Sequence, residues 1–247
     1  HVHSALCDLA DMHWISVLPQ LLEDFQQLLR DALDLLRELG EADDRRDQSH
    51  WDLPSIGPHQ QNHGFRNWVS LIELLRDSWL ALRAKAIARA ARIAQSWFEL
   101  PYPTFKRLAL FAASQENCIA PHQWVDWLLA DGTWWLWSTD TRREMSRLLV
   151  LQGCKLTEDS QERLEATILA GPPRERYRDE LDPEEWQDLQ ARSVWLRLAK
   201  LNASGLALRA PAAASLAELS NANPQWQLAA NESEEFSCWM GGSGDPD

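Results

Sequence analysis

Glycine is scarce in this chain, with ten residues in 247. Glycine builds the loops that hold phosphate in nucleotide-binding proteins, and neither a P-loop nor a G-x-G-x-x-G fingerprint is present. The four cysteines lie far apart, which excludes C-x-x-C metal or redox motifs and favours a reduced, cytoplasmic compartment. An apolar run of about 18 residues is absent, so we expect no membrane span. We also find no signal peptide.

Negative charge dominates the composition, and the formal net charge is -13. This balance disfavours nonspecific binding to nucleic acid, because phosphate is repelled. The charge is uneven. Residues 1–50 hold 11 acidic and 4 basic side chains, residues 65–113 hold 3 and 8, and residues 114–247 hold 22 and 12. A basic middle between acidic ends predicts either an acidic partner or charge pairing within the chain.

Tryptophan is abundant, with 14 residues. Five of them lie in one short stretch: Trp124, Trp127, Trp134, Trp135 and Trp137. Such side chains bring a large apolar area and one N–H group, which favours packing between helices. An exposed aromatic cage or an interface hot spot is the alternative interpretation.

The first 40 residues contain a long amphipathic helix. Between Pro19 and Leu39, apolar residues recur at alternating steps of four and three, and Gly40 is suited to end the helix. The stripe is widened by Leu21, Leu28 and Leu35. A seven-residue apolar repeat is typical of a coiled coil, but the widened stripe favours a core helix of a bundle.

Residues 41–64 differ in composition from their neighbours. A charged run, Glu41–Asp47, is followed by Pro54, Gly57, Pro58 and Gly64. This pattern predicts a polar loop or linker. We therefore predict four regions: an N-terminal helical segment (1–40), a linker (41–64), a helical-repeat domain (65–240) and a polar tail (241–247). Because the chain begins at His1 without methionine, we expect it to be a piece of a longer polypeptide.

The helical period returns at Phe65. One apolar stripe runs from Trp68 to Trp97, and its length predicts a break near Asp77-Ser78 or Arg83. Prolines and capping residues mark later helix starts. These starts are Pro103, Pro121, Thr141 (with the spacing of a capping box), Thr157, Asp182 and Pro211. No segment alternates apolar and polar residues in the manner of a strand, so we expect essentially no sheet.

A faint internal repeat accompanies these helices. Phe105–Leu110, Met145–Val150 and Trp195–Ala199 share an Arg-Leu core, and helix pairs that recur at about 40 to 50 residues are typical of HEAT or armadillo stacks. The predicted fold is an all-α, HEAT/armadillo-like α-solenoid of antiparallel helix pairs. An irregular helical bundle is the alternative.

Four basic residues are candidates for contact with a partner. Lys85, Arg89 and Arg92 are predicted to lie on one helix face, with Arg83 nearby. Such a ridge can bind phosphate or an acidic protein, and the solvated side of an amphipathic helix is the alternative. His59 and His63 have the spacing of zinc ligands on a helix, but the glycines and prolines around them argue for a loop. We predict no metal, no cofactor and no catalytic residue.

Several stretches resemble a known family. They are Phe105–Ala113, Trp134–Val150, Ile168–Arg174, Val194–Leu201 and Glu234–Met240. They are similar to the helical-repeat region of large bacterial proteins in which a sirtuin-like or other effector and a STAND-type (NACHT-like) ATPase precede an α-solenoid. Such proteins are associated with anti-phage defence. The resemblance implies an α-solenoid that takes part in protein recognition.

From the residues and the resemblance together, we expect a non-catalytic scaffold or sensor region of a larger bacterial defence protein. Its partner would be another protein or other domains of the same polypeptide, in recognition or autoinhibition, with no membrane and no nucleic acid. Two alternatives stay open: a nucleic-acid-binding helical module, and an accessory part of an enzyme of unrecognised type.

Overall fold

The structure is a computed structural model that describes residues 11–59, 62, 68–177 and 181–229. All regular elements in these residues are helices and none is a strand, which confirms the prediction of an all-α fold. The α-helices are α1 (Met12–Val17), α2 (Leu22–Glu38), α3 (Ser49–Asp52), α4 (Val69–Lys85), α5 (Ile87–Glu99), α6 (Pro103–Ser114), α7 (Pro121–Trp137), α8 (Arg142–Gln152), α9 (Glu158–Ala170), α10 (Pro183–Ala203) and α11 (Ala210–Ala222). Short 3-10 helices span Leu18–Gln20, Gly153–Lys155 and Arg174–Arg176.

The chain divides into two compact units, the first ending at Cys118 and the second beginning at Ile119. In the first unit α2 packs on α4, α4 on α5 and α5 on α6. The sequence-based division differs, because it separated residues 1–40 from residues 65–240. The buried leucines of α2 and the apolar face of α4 pack together, so both helices belong to one unit.

The predicted linker is packed into the first unit over its described residues. Asp47 is buried, and its carboxylate accepts hydrogen bonds from the backbone N–H of Ser49 at 3.0 Å and of Thr104 at 2.6 Å. The guanidinium of Arg107 donates to the Ser49 hydroxyl and to the Leu53 carbonyl. The described residues of this polar segment belong to the first unit, because their side chains serve as internal hydrogen-bond partners.

Helix α6 is buried on every side, from Pro103 to Ser114. Its burial includes Lys106, whose ammonium donates to the Phe98 carbonyl and lies 4.5 Å from the centre of the Phe98 ring. A helix without a solvent-exposed face is typical of the centre of a hydrophobic core. Helix α6 therefore forms the centre onto which α3 and α5 pack.

The stripe from Trp68 to Trp97 is divided between α4 and α5. The break falls at Ala86, whose φ of -151° and ψ of 73° are not helical. Two tryptophans then hold the pair together: the Trp79 indole donates to the Ala90 carbonyl at 2.9 Å, and its ring lies 6.1 Å from that of Trp97. The predicted break near Asp77-Ser78 or Arg83 was therefore three or more residues too early.

In the second unit α7 packs on α8 and α9, and α10 packs on α8, α9 and α11. Helix α7 contains a non-helical interruption from Ala130 to Thr133, near its predicted end at Gly132. As predicted, α9 begins after Thr157 and α10 begins after Asp182. Thr157 caps α9, and Asp182 with Glu185 forms a capping box that the sequence analysis did not predict. The capping box predicted at Thr141 is not formed, because its hydroxyl donates to the Trp135 carbonyl at 2.8 Å.

Some predictions fall on residues that the structure does not describe. These residues are His63, the stretch Glu234–Met240 and the tail 241–247. Among the helices that it does describe, none combines the length and the apolar character needed to cross a bilayer.

Candidate protein-binding surface

Helix α2 carries apolar side chains on two adjacent faces. Leu22, Leu29 and Leu33 are buried on the face that packs against the first unit. A second set recurs at steps of four and three residues: Leu21, Phe25, Leu28, Ala32, Leu35 and Leu39. At about 100° per residue these six lie within an arc of about 80°. We refer to this second set as the α2 surface.

The α2 surface is most open to solvent from Leu28 to Leu39, and Leu21 near its start is half-buried. Leu28, Leu35 and Leu39 expose 51%, 61% and 65% of their areas. Ala32, between them, and Phe25, before them, are half-buried. Single exposed leucines are ordinary on a folded protein, but a continuous apolar row marks an interaction site. The row extends over about 27 Å at 1.5 Å per residue, a length that suits an elongated partner.

Three carboxylates run beside the α2 surface at seven-residue steps. They are Asp24, Asp31 and Glu38, and all are exposed. Seven residues make almost two helical turns, so the three share one side of α2. In the part of the chain that the structure describes, no cation pairs with any of them, although the Gln27 amide donates to Asp31 at 2.7 Å. We refer to these three residues as the acidic row.

The carboxylates on the opposite side of α2 do have partners. Glu23 pairs with Arg89 at 3.1 Å, and Asp34 lies 3.8 Å from Arg30. Asp34 also accepts a hydrogen bond from the phenol of Tyr102. Burial, together with the hydrogen bond to Asp34, raises the pKa of Tyr102 to about 12. Among the described residues, the acidic row therefore holds the negative charge of α2 that no cation neutralises.

The four predicted partner-binding residues do not lie on a single helix. Because the helix breaks at Ala86, Arg83 and Lys85 belong to α4, whereas Arg89 and Arg92 belong to α5. The Arg83 guanidinium donates to the Glu116 carbonyl at 2.7 Å, and Lys85 reaches the Ser16 carbonyl at 3.5 Å.

Those two contacts and the pair between Arg89 and Glu23 lie within the first unit. Arg92 is exposed and makes no ion pair with any residue that the structure describes. Three of the four side chains thus bind the chain itself.

The described histidines do not converge with other metal ligands. His50 lies in α3 with its ring 4.6 Å from that of Trp51, and His59 is half-buried. Within the described ranges there is no group of three or more His, Cys, Asp or Glu residues able to hold a metal ion. Cys118 is buried and Cys154 is exposed, and both are free thiols. Burial raises the pKa of the Cys118 thiol.

The clustered tryptophans are packed in the second unit. Trp124, Trp127, Trp135 and Trp137 are buried, which confirms the interpretation that they serve packing. Trp134 is half-buried.

Two arginines contact the last turn of α7, which carries Trp134, Trp135 and Trp137. The Arg176 guanidinium donates to the Trp134 carbonyl at 2.6 Å and lies 3.9 Å from its ring centre. Arg197 donates to the Leu136 carbonyl and lies 4.1 Å from the ring centre of Trp137. Burial lowers the pKa of Arg197 to about 9, with a further contribution from Arg142. Each cation lies at the C-terminus of α7, where it interacts favourably with the terminal carbonyls, and covers one face of its tryptophan ring.

The second unit also contains a small open cleft of about 140 Å³. It is lined by Arg142, Arg192, Trp195 and Trp226, together with leucine and glutamine side chains. The Trp195 indole already donates to the Ser220 hydroxyl at 3.0 Å. Among the residues that the structure describes, no carboxylate, imidazole, thiol or hydroxyl lines this cleft. It therefore offers neither an acid–base pair nor a nucleophile.

Sequence reasoning named the leucines of the α2 surface but assigned them to the core of a bundle. The signal that could have identified the surface is the seven-residue spacing of Asp24, Asp31 and Glu38, since charges bordering an apolar seam are typical of helix pairing. Comparison of the chain with protein-family models, with curated proteins and with solved structures finds no match.

Proposed function

We propose that the chain is a non-catalytic helical scaffold or sensor that recognises a protein partner through the α2 surface. The observation that carries this proposal is the row of exposed leucines on α2. Keeping this apolar area in water costs free energy, and a partner that covered it would recover that free energy.

The wider setting of this recognition rests on the sequence. The repeated segments contain Leu108, Leu148 and Leu198, which are fully buried in α6, α8 and α10. Their burial supports the proposal that the helices pair and stack as an α-solenoid. The resemblance described above supports a place in a large bacterial anti-phage defence protein with a STAND-type ATPase. There, partner binding would shift an autoinhibited chain towards an active assembly by its differential affinity for the two states.

Site-specific photocrosslinking in the organism that produces the chain tests the proposal. A photoreactive amino acid replaces Leu35 in one variant and Leu151, another exposed leucine on α8, in the control. We expect a protein adduct from position 35 that disappears when Leu28→Glu is added, and no such adduct from position 151. The same adduct pattern at both positions, or no adduct from position 35, overturns the proposal.

A further inference from the structure

The α2 surface and the acidic row together describe the partner. We infer that the α2 surface binds an amphipathic α-helix that carries lysine or arginine along one border of its own apolar seam. This inference rests on the proposed function, because it names the partner of the same surface. Three observations carry it: the spacing of the apolar row, the position of the unpaired carboxylates, and the covered face on the other side.

The spacing selects a helix as the partner. The six apolar positions follow the four–three rhythm that two helices share when the side chains of one insert between those of the other. A strand has a period of two residues, so it cannot keep its side chains in register with this row. The apolar row runs for about five turns from Leu21 to Leu39, one residue beyond α2, and its exposed leucines lie in the last three turns, where a partner helix has the most open contact.

The charges beside the α2 surface determine which sign of charge the flanking side chains of the partner helix carry. On one side of the α2 surface, Leu22 and Leu29 are buried within the first unit, so no flanking charge of a partner can lie there. The other side holds the acidic row, which has no cation among the described residues of this chain. A partner helix on the α2 surface places one of its own flanks over the acidic row. Basic side chains there gain ion pairs, whereas acidic ones meet like charge.

A second copy of this chain is the wrong occupant for the same reasons. Two α2 helices in antiparallel orientation place acidic row against acidic row, which repels. In parallel orientation each acidic row faces the positions of Leu22 and Leu29 on the other copy, and those leucines are already covered by their own unit. A membrane surface is a poor match as well, since anionic lipid headgroups and the acidic row repel one another.

The test uses synthetic peptides as probes for the unidentified partner. Each peptide has about 20 residues, which span about 30 Å as a helix, with leucine at steps of three and four. One peptide carries lysine at the positions that flank the seam, a second carries glutamine there, and a third carries glutamate. Binding to the full chain is measured by fluorescence anisotropy of the labelled peptides at low and at moderate salt.

We expect the lysine peptide to bind most tightly, about tenfold more tightly than the glutamine peptide, because three exposed ion pairs contribute about that factor together. Added salt should reduce this preference. The triple variant Asp24→Asn, Asp31→Asn, Glu38→Gln should lose the preference and keep binding to the glutamine peptide. Leu35→Glu should weaken all binding at least tenfold, whereas the same substitution at Leu151 should change nothing.

Each result has a defined meaning. Equal binding of the three peptides, or a preference that the triple variant retains, overturns the basic-helix inference and leaves the protein-binding proposal standing. If none of the peptides binds while the photocrosslink at position 35 forms, the partner is a protein that is not a basic helix, and again only the inference fails. A dimer in sedimentation that Leu35→Glu dissociates, or binding of the chain to zwitterionic lipid vesicles, assigns the surface to another occupant and overturns the inference.

Discussion

Replacement of Asp47 by alanine should destabilise the first unit, because this residue completes the N-terminus of a helix that is distant in sequence. The first N–H groups of a helix have no partner inside the helix. In α6, Pro103 has no N–H, and the next one, that of Thr104, donates to the Asp47 carboxylate at 2.6 Å. The same carboxylate accepts from Ser49 at 3.0 Å, and Asp47 is only 1% exposed.

The expected cost follows from these contacts. A hydrogen bond to a charged group contributes about 1.5 to 3 kcal/mol, and a buried N–H left without an acceptor costs about 1 to 3 kcal/mol. Relief of the burial of one carboxylate offsets part of this. We expect Asp47→Ala to lower the free energy of unfolding by about 3 kcal/mol, and Asp47→Asn, which retains one acceptor oxygen, by about half as much.

The assay is urea unfolding followed by tryptophan fluorescence, read from the midpoint at constant slope. Asp43→Ala is the matched control. The Asp43 carboxylate also accepts two backbone N–H bonds, both at 2.7 Å, from Arg45 and Arg46, but it is exposed. We expect this control to cost less than about 1 kcal/mol, because water replaces the lost acceptor. Equal losses for Asp43→Ala and Asp47→Ala would refute the reasoning.

Three further predictions concern packing, ionisation and backbone conformation. Leu108→Ala and Leu148→Ala should each destabilise by about 2 to 5 kcal/mol, and unchanged thermal melting of either would contradict its complete burial. The pKa of Tyr102 is raised to about 12, above the value of about 10 expected in the unfolded chain, so the folded state retains the phenol proton over that interval. Its contribution to stability should be complete below about pH 10 and be lost as the pH rises to about 12, and urea titrations of Tyr102→Phe should lack that loss. Gly171→Ala should destabilise by more than about 1 kcal/mol, because φ is +79° there and the new Cβ would lie 2.5 Å from the Gln190 amide nitrogen; adding Gln190→Ala should recover only part of the loss in a double-mutant melting cycle.

Helix starts and ends were predictable where one residue and its immediate neighbours decide them. Pro103 and Pro121 begin α6 and α7, and Asp182 caps α10, because a missing N–H or a capping side chain acts within one turn. Gly40 follows α2 with a φ of +75°, a conformation that glycine adopts without steric cost. The absence of strands in the described residues follows from the same local patterns.

The polar segment before α4 could not be assigned in this way. Its composition is that of an exposed loop, and the burial of Asp47 depends on an N–H 57 residues away in sequence. Thr141 shows the same limit, because a hydroxyl suited to cap α8 donates instead to a carbonyl of α7. Hydrogen bonds between distant segments compete with local ones. A pattern of neighbouring residues therefore cannot show which distant group a side chain will bind.

Helix α2 shows most clearly which properties the sequence determines by itself and which depend on the tertiary structure. Its sequence determined by itself that the segment is helical, that apolar side chains cover nearly half of its circumference, and that carboxylates border them at regular steps. Tertiary structure decided that Leu22 and Leu29 are covered while Leu28 and Leu35 meet water. The physical reason is that helical periodicity is a property of consecutive residues, whereas burial is a property of whichever surfaces the rest of the chain brings alongside.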